Sequence, residues 1–139
     1  MGYVAGDTVL TPEALTALQA LIPQVDLAPG PGGARITPVG DLIGICLAHL
    51  PTALGVRVAR AALISLEPSS QLVAHTDPAL PGPRVHIPLL TNPGCWSFLA
   101  GVWSQLLLGY PYVMDPTEVH GAVNWGTTRR VHLMLDLDG

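Results

Sequence analysis

The stretch Arg130-Val-His-Leu-Met-Leu-Asp-Leu137 alternates two kinds of side chain. Successive residues of a strand face opposite ways, so Arg130, His132, Met134 and Asp136 share one face and Val131, Leu133, Leu135 and Leu137 the other. The same split recurs at Arg84-Val-His-Ile-Pro-Leu-Leu90, where Val85, Ile87 and Leu89 oppose Arg84 and His86. For one strand alone, partial exposure explains an Arg/His face equally well. Several strands with imidazole or guanidinium at matched phase point instead to an active-site surface.

Working outward, the chain from Val56 onward consists of short period-two runs separated by Gly, Pro and Asn. Strands are expected at 57–66, 71–77, 84–91, 95–100, near 105–108, 112–114, 119–124 and 130–137. The part before Val56 reads differently. Thr11 and Pro12, followed by Ala14, Leu15, Leu18, Leu21 and Ile22, predict an amphipathic helix over 12–22, ended by Pro23. Residues 28–33 form a Pro/Gly loop and 35–39 a short strand. Asp41 reads as the N-cap of a second helix to about Leu50, mostly apolar all round and hence largely buried, with His49 at its C-terminal end and Pro51 as its stop. The expected class is mainly β: a small antiparallel sandwich or barrel of jelly-roll type with two N-terminal helices packed on one sheet. A helical buttress over 1–55 and a β core over 56–139 would form a single domain.

Composition narrows the function classes. The 139 residues include six Arg, no Lys and ten Asp plus Glu, for a net charge of −4. Nucleic-acid binding normally needs a basic groove, so no nucleic-acid partner is expected. Mean hydropathy is +0.44, yet Pro and Gly interrupt every apolar run before the roughly 20 residues a membrane span needs, so no membrane partner is expected either. The start lacks a basic and apolar leader pattern, and Gly6 stands where a myristoylation motif has Ser or Thr, which makes a cytoplasmic location the expectation. Cys46 and Cys95 lie far apart and read as reduced buried thiols. The apolar excess is compatible with a homodimer burying one sheet face.

The chemistry concentrates in residues 75–86. His75 and Asp77 project together if they lie on one strand, as do Arg84 and His86 on the next, and Pro78, Pro81, Gly82 and Pro83 supply the turn between them. His120, which follows Asp77 by 43 residues, completes a set of two imidazoles and one carboxylate, the ligand types that leave open positions on non-haem Fe(II). His-x-Asp alone occurs often by chance. Arg130, ten residues after His120, returns on a neighbouring strand as a two-pronged donor for a carboxylate, and Arg84 follows His75 by the same hairpin logic. A metal with open positions beside two such donors suits a dicarboxylate.

Four blocks carry a family resemblance. They are Leu66-Glu-Pro-Ser-Ser-Gln-Leu-Val-Ala-His75-Thr-Asp77, Arg84-Val-His86-Ile-Pro-Leu-Leu-Thr-Asn92, Gly109 with His120-Gly-Ala-Val-Asn124, and Arg130-Val-His132-Leu-Met-Leu-Asp136. Over about residues 57–137 the chain resembles the aspartyl/asparaginyl β-hydroxylases, Fe(II)- and 2-oxoglutarate-dependent dioxygenases on a double-stranded β-helix. The resemblance implies that His75, Asp77 and His120 ligate iron and that Arg130 binds the distal carboxylate of 2-oxoglutarate. It also implies that Arg84 and His86 help hold this cosubstrate, while Asn124 and His132 orient their strands. Hydroxylation of a peptidyl Asp or Asn, or of a small amino-acid-like molecule, would consume O2 and release succinate and CO2. In one respect the chain departs from the pattern: the strand position from which family members supply a hydroxyl to 2-oxoglutarate is Ile64, and Ser65 points the other way.

Two other classes stay open on the residues alone: a cupin-like metal isomerase or lyase, and a non-catalytic ligand-binding jelly roll. Trp96, Trp103 and Trp125 read as core packing more readily than as pocket walls. Arg129 reads as a surface charge, and Arg57 and Arg60 have no partner evident in the sequence.

Overall fold

The computed structural model describes residues 3–5 and 9–138; Gly6 lies outside them. Among the described residues ten strands form two antiparallel sheets. The larger runs in the order β1 (Val4–Ala5), β8 (Tyr112–Met114), β5 (Arg84–Leu90), β10 (Arg130–Leu137), β3 (Val58–Leu66), β2 (Ala34–Pro38). The smaller runs β4 (Ser70–His75), β9 (His120–Asn124), β6 (Cys95–Leu99), β7 (Val102–Ser104). This is a mainly β, jelly-roll fold with α1 (Pro12–Gln19), α2 (Ile43–Ala48) and α3 (Thr52–Gly55) preceding most of the strands. Among the described residues no helix is long and apolar enough to cross a membrane.

The central strand β10 explains the architecture. It pairs with β3 on one side and β5 on the other, so the row Leu63, Leu133, Ile87 runs across three strands on one face. All three are fully buried, and they pack with Leu18, Leu21, Cys46 and Leu50 in one apolar cluster under the helices. Truncating Leu133 to alanine there should cost about 2–5 kcal/mol. The other face of the same strands carries the rows Arg60, Asp136, Arg84 and Ala62, Met134, His86. Every residue of β10 is buried, because one face meets the helices and the other meets the space between the sheets.

The first helix begins as the sequence predicts, with the Thr11 hydroxyl accepting a 3.1 Å hydrogen bond from the amide of Ala14. Its α-helical part stops at Gln19, and Ile22–Gln24 forms a 3-10 turn around Pro23, which has no amide to donate. Gln19 donates to the Leu89 carbonyl at 2.9 Å and fastens α1 to β5.

Four expectations are corrected. Asp41 is not an N-cap: Gly40, at φ 58°, opens a 3-10 turn over Gly40–Leu42, and α2 starts at Ile43 with no side-chain cap. This helix is also not buried all round; Cys46 is its buried residue while Ile45 is 47% exposed. His49 does stand at its C-cap. The strand expected near 105–108 lies earlier, at β7. Ala100 and Gly101 both have positive φ, 48° and 89°, and close a two-residue hairpin that pairs Leu99 directly with Val102. The tryptophans are not core: Trp96, Trp103 and Trp125 are exposed, with Trp103 tilted against Phe98 at 5.1 Å between ring centroids.

Candidate active site

Residues 75–86 are not a hairpin. β4 belongs to the smaller sheet and β5 to the larger, so the Pro/Gly segment carries the chain from one sheet to the other. The turn after Asn124 does the same between β9 and β10. His75 and Arg84, and likewise His120 and Arg130, therefore lie on different sheets instead of on adjacent strands. Asp77 also lies beyond the end of β4, where its amide donates to the Pro116 carbonyl at 2.9 Å. A register shift between Leu72 and His75, which itself pairs with His120, ends the ladder there.

Three side chains converge where the sheets meet. The ligand atoms of His75, Asp77 and His120 all lie within 4.8 Å of one another. Asp77 Oδ2 is the shared point, 3.1 Å from His120 Nε2 and 3.7 Å from His75 Nε2. Both imidazoles turn Nδ1 to a backbone carbonyl, His75 to Val73 at 2.7 Å and His120 to Glu118 at 2.8 Å. A carbonyl can only accept, so Nδ1 carries the hydrogen in both rings, and Nε2 is the atom each ring offers to a metal beside Asp77. Two nitrogens and one carboxylate oxygen suit a divalent ion such as Fe(II).

Arg84, 8% exposed, spans two acids. Its Nε donates to Asp136 Oδ1 at 2.7 Å and its Nη1 to Asp77 Oδ2 at 3.1 Å. Asp136 also accepts from Arg60 Nη2 at 2.6 Å, which gives Arg60 its partner. Burial alone would raise the Asp136 pKa, but the bonds from Arg84 and Arg60 outweigh it and the carboxyl titrates below its ordinary range. Arg129 pairs with Glu67 at 2.6 Å, away from this cluster.

Arg130 differs from Arg84. It is 3% exposed, its Nε has no hydrogen-bond partner, and among the described residues no carboxylate pairs with it. Burial draws it below the ordinary arginine range, although a guanidinium remains a cation. A buried, unpaired planar cation is costly and fits a carboxylate ligand that the chain itself does not supply.

His86 and His132 stand between the two arginines with their Nδ1 atoms 3.2 Å apart. Burial first, then the Arg130 and Arg84 charges, pushes His86 down to about 3. His132 is held well below its usual range by burial, with Arg130 adding to the effect. Both rings are neutral at physiological pH, so one Nδ1 donates to the other. Asn124 is fully buried and fully bonded, giving Nδ2 to the carbonyls of Leu66 and Thr128, both at 2.9 Å. It thereby fastens the β9–β10 connection to β3.

The interior wall on β3 is apolar: Ala62 and Ile64 pack with Met134. Ser65 faces the other way, buried with its hydroxyl unpartnered. A cleft of about 410 Å³ reaches this interior and is lined by Asp77, Arg84, Met134 and Leu80. A larger one, about 720 Å³, shares Leu80 but lies among Pro83, Met114 and Pro116 without a triad residue, so the smaller cleft is the one assigned to the chemistry.

Tyr3, which the sequence does not single out, borders the same interior face. Its ring meets His86 edge-on, with centroids 6.1 Å apart. It precedes every patterned segment, and no periodicity announces it.

Residues 43–138 match the family model described as aspartyl/asparaginyl beta-hydroxylase. No curated protein matches the chain. Among solved structures, the non-heme alpha ketoglutarate dependent carbocyclase SnoK from nogalamycin biosynthesis aligns over 99% of this chain and 79% of its own, at 15% identity and TM-score 0.67. A Pseudomonas putida prolyl-4-hydroxylase aligns over 99% and 93%, at 15% identity and TM-score 0.65. A cupin domain from Bordetella pertussis Tohama I aligns over 81% and 100%, at 20% identity and TM-score 0.54. At such identities the likeness is one of fold.

Proposed function

Because the chain belongs to the aspartyl/asparaginyl β-hydroxylase family of oxygenases, we propose that it is an Fe(II)- and 2-oxoglutarate-dependent dioxygenase. It would hydroxylate an Asp/Asn-type residue of a peptide or a small amino-acid-like substrate. The observation that carries this reading is Arg130, a buried guanidinium without a carboxylate among the described residues, on the interior face that also meets a cluster of two imidazoles and one carboxylate. A metal isomerase or lyase would use the cluster but leave Arg130 without a task.

When bound, iron and 2-oxoglutarate would direct one atom of O2 into a substrate C–H bond and the other into succinate, with loss of CO2. The chain's own residues bind and orient. His75 and His120 would present Nε2 to the metal, their rings held by the carbonyls of Val73 and Glu118. Asp77 would be the third ligand, steered by Arg84, which is itself anchored on Asp136. Arg130 would grip the distal carboxylate of the cosubstrate. Arg84 and the neutral His86 would line it from β5, and Ala62, Ile64 and Met134 would keep water from the chamber. The test is release of succinate from 2-oxoglutarate when Fe(II) and O2 are supplied. Production in the wild type and its loss in His75→Ala support the reading; metal-bound protein that makes no succinate with any Asp/Asn peptide or amino acid, and none in the uncoupled reaction, contradicts it.

A further inference from the structure

The family's strand-borne hydroxyl is missing from this chain, since β3 offers Ile64 to the interior and turns Ser65 toward the helices. A second strand edge can supply one. β1 pairs with β8, with Val4 opposite Val113 and Ala5 opposite Tyr112. β8 in turn sets Tyr112 opposite His86 and Met114 opposite Arg84. Alternation along β1 then puts Tyr3, the residue before Val4, on the face of Arg84 and His86. The edge-on contact with the His86 ring agrees with that placement. Among the described residues the Tyr3 hydroxyl makes no hydrogen bond.

Resting on the function proposed above, the geometry points to Tyr3 as the hydroxyl donor to the distal carboxylate of 2-oxoglutarate, beside Arg130 and approaching from the β1 edge instead of from β3. The charges around the phenol agree with this position. Burial pushes the Tyr3 pKa up to about 12, while Arg130 and then Arg84 pull against it, so the group stays a neutral O–H donor. A neutral phenol beside a guanidinium completes a carboxylate site without adding a second unpaired charge. The two-residue strand β1 is thereby part of cosubstrate recognition.

The experiment compares 2-oxoglutarate with pyruvate, which shares the 2-keto acid end and lacks the distal carboxylate. Affinities are measured by calorimetry on full-length protein loaded with Mn(II), which binds the same ligand types without turnover. Tyr3→Phe keeps the ring against His86 and removes only the oxygen. It should weaken 2-oxoglutarate about tenfold and leave pyruvate unchanged, as expected for one hydrogen bond to a charged group. In the wild type, saturating 2-oxoglutarate should also perturb tyrosine ultraviolet absorbance, and pyruvate should not; this readout needs no variant. An unchanged ratio of the two affinities, tighter 2-oxoglutarate binding in Tyr3→Phe, or no tyrosine perturbation overturns the assignment while leaving the proposed function standing. A wild-type protein that binds metal but neither keto acid overturns both.

Discussion

Replacing Arg130 with methionine should move stability and cosubstrate affinity in opposite directions. Arg130 is 3% exposed, its Nε is unbonded, and no acid among the described residues neutralises it. Exchanging a buried ion for an apolar side chain of similar reach stabilises a protein by about 1–4 kcal/mol. For a chain of this length each kcal/mol is worth roughly 3–5 °C, so Arg130→Met should melt about 3–20 °C above the wild type without ligand. Adding 2-oxoglutarate at 100 times its Kd should stabilise the metal-loaded wild type by about 2.7 kcal/mol. Loss of the guanidinium removes a charge-assisted, two-pronged contact, and breaking a buried pair costs about 3–5 kcal/mol, or more than 100-fold in Kd. Calorimetric melts with and without 2-oxoglutarate read both effects. If Arg130→Met melts lower than the wild type and still shifts with 2-oxoglutarate, Arg130 is a structural residue and the reasoning fails.

Other parts of the site make further predictions. Asp136→Asn removes the negative charge and one of the two acceptor oxygens that Arg84 and Arg60 share and should cost about 2–4 kcal/mol in urea unfolding at pH 7, Arg60's exposure reducing its share. Because the folded Asp136 carboxyl titrates below its free value, its contribution is present above about pH 4 and is lost as pH falls through the folded value; the gap between wild type and variant should close in acid. His86 has the opposite charge change and the same direction of pH dependence. Its folded pKa of about 3 lies below the free value of 6.5, so the unfolded chain takes up a proton first and stability declines as pH drops from 6.5 toward 3. That one group contributes a slope approaching 1.4 kcal/mol per pH unit, and His86→Gln should flatten the profile between pH 6.5 and 5; parallel profiles would show that His86 does not titrate this way. At Gly121, beside His120, a Cβ would sit 2.7 Å from the Leu72 carbonyl oxygen and 3.1 Å from Ala74 backbone. Gly121→Ala should therefore spread β4 from β9, cost about 1–3 kcal/mol, and lower the metal retained after dialysis; full metal occupancy would contradict it.

The larger sheet's rows were legible because period two survives wherever a strand has two chemically different sides. Arg130, His132 and Asp136 declare one face of β10, and Leu133 and Leu135 the other. Thr11 and Pro12 announced α1 through local backbone chemistry that tertiary contacts do not override. Less visible was which sheet each strand joins. His75 and Arg84 look like two arms of a hairpin because turn residues separate them, yet those residues bridge the two sheets, a choice made by long-range packing. The strand after Leu99 starts earlier than its sequence suggests because the positive φ at Ala100, a non-glycine residue, shortens the turn to two residues. The three metal-type residues could be read from their ligand chemistry, but the bond from Arg84 to Asp77 and the Arg60 contact to Asp136 depend on cross-strand register. Tyr3 reaches the interior only through the pairing of β1 with β8, and nothing in its local sequence carries that information.

The most direct test of the oxygenase reading is an anaerobic titration of Fe(II)-loaded protein with 2-oxoglutarate, followed in the visible range. Chelation by a 2-keto acid at an iron with open positions gives a metal-to-ligand charge-transfer band. The account predicts that this band grows to one equivalent per chain in the wild type, is absent in His75→Ala, and requires far more 2-oxoglutarate in Arg130→Met. Iron-loaded wild type that shows no band at saturating 2-oxoglutarate would contradict it.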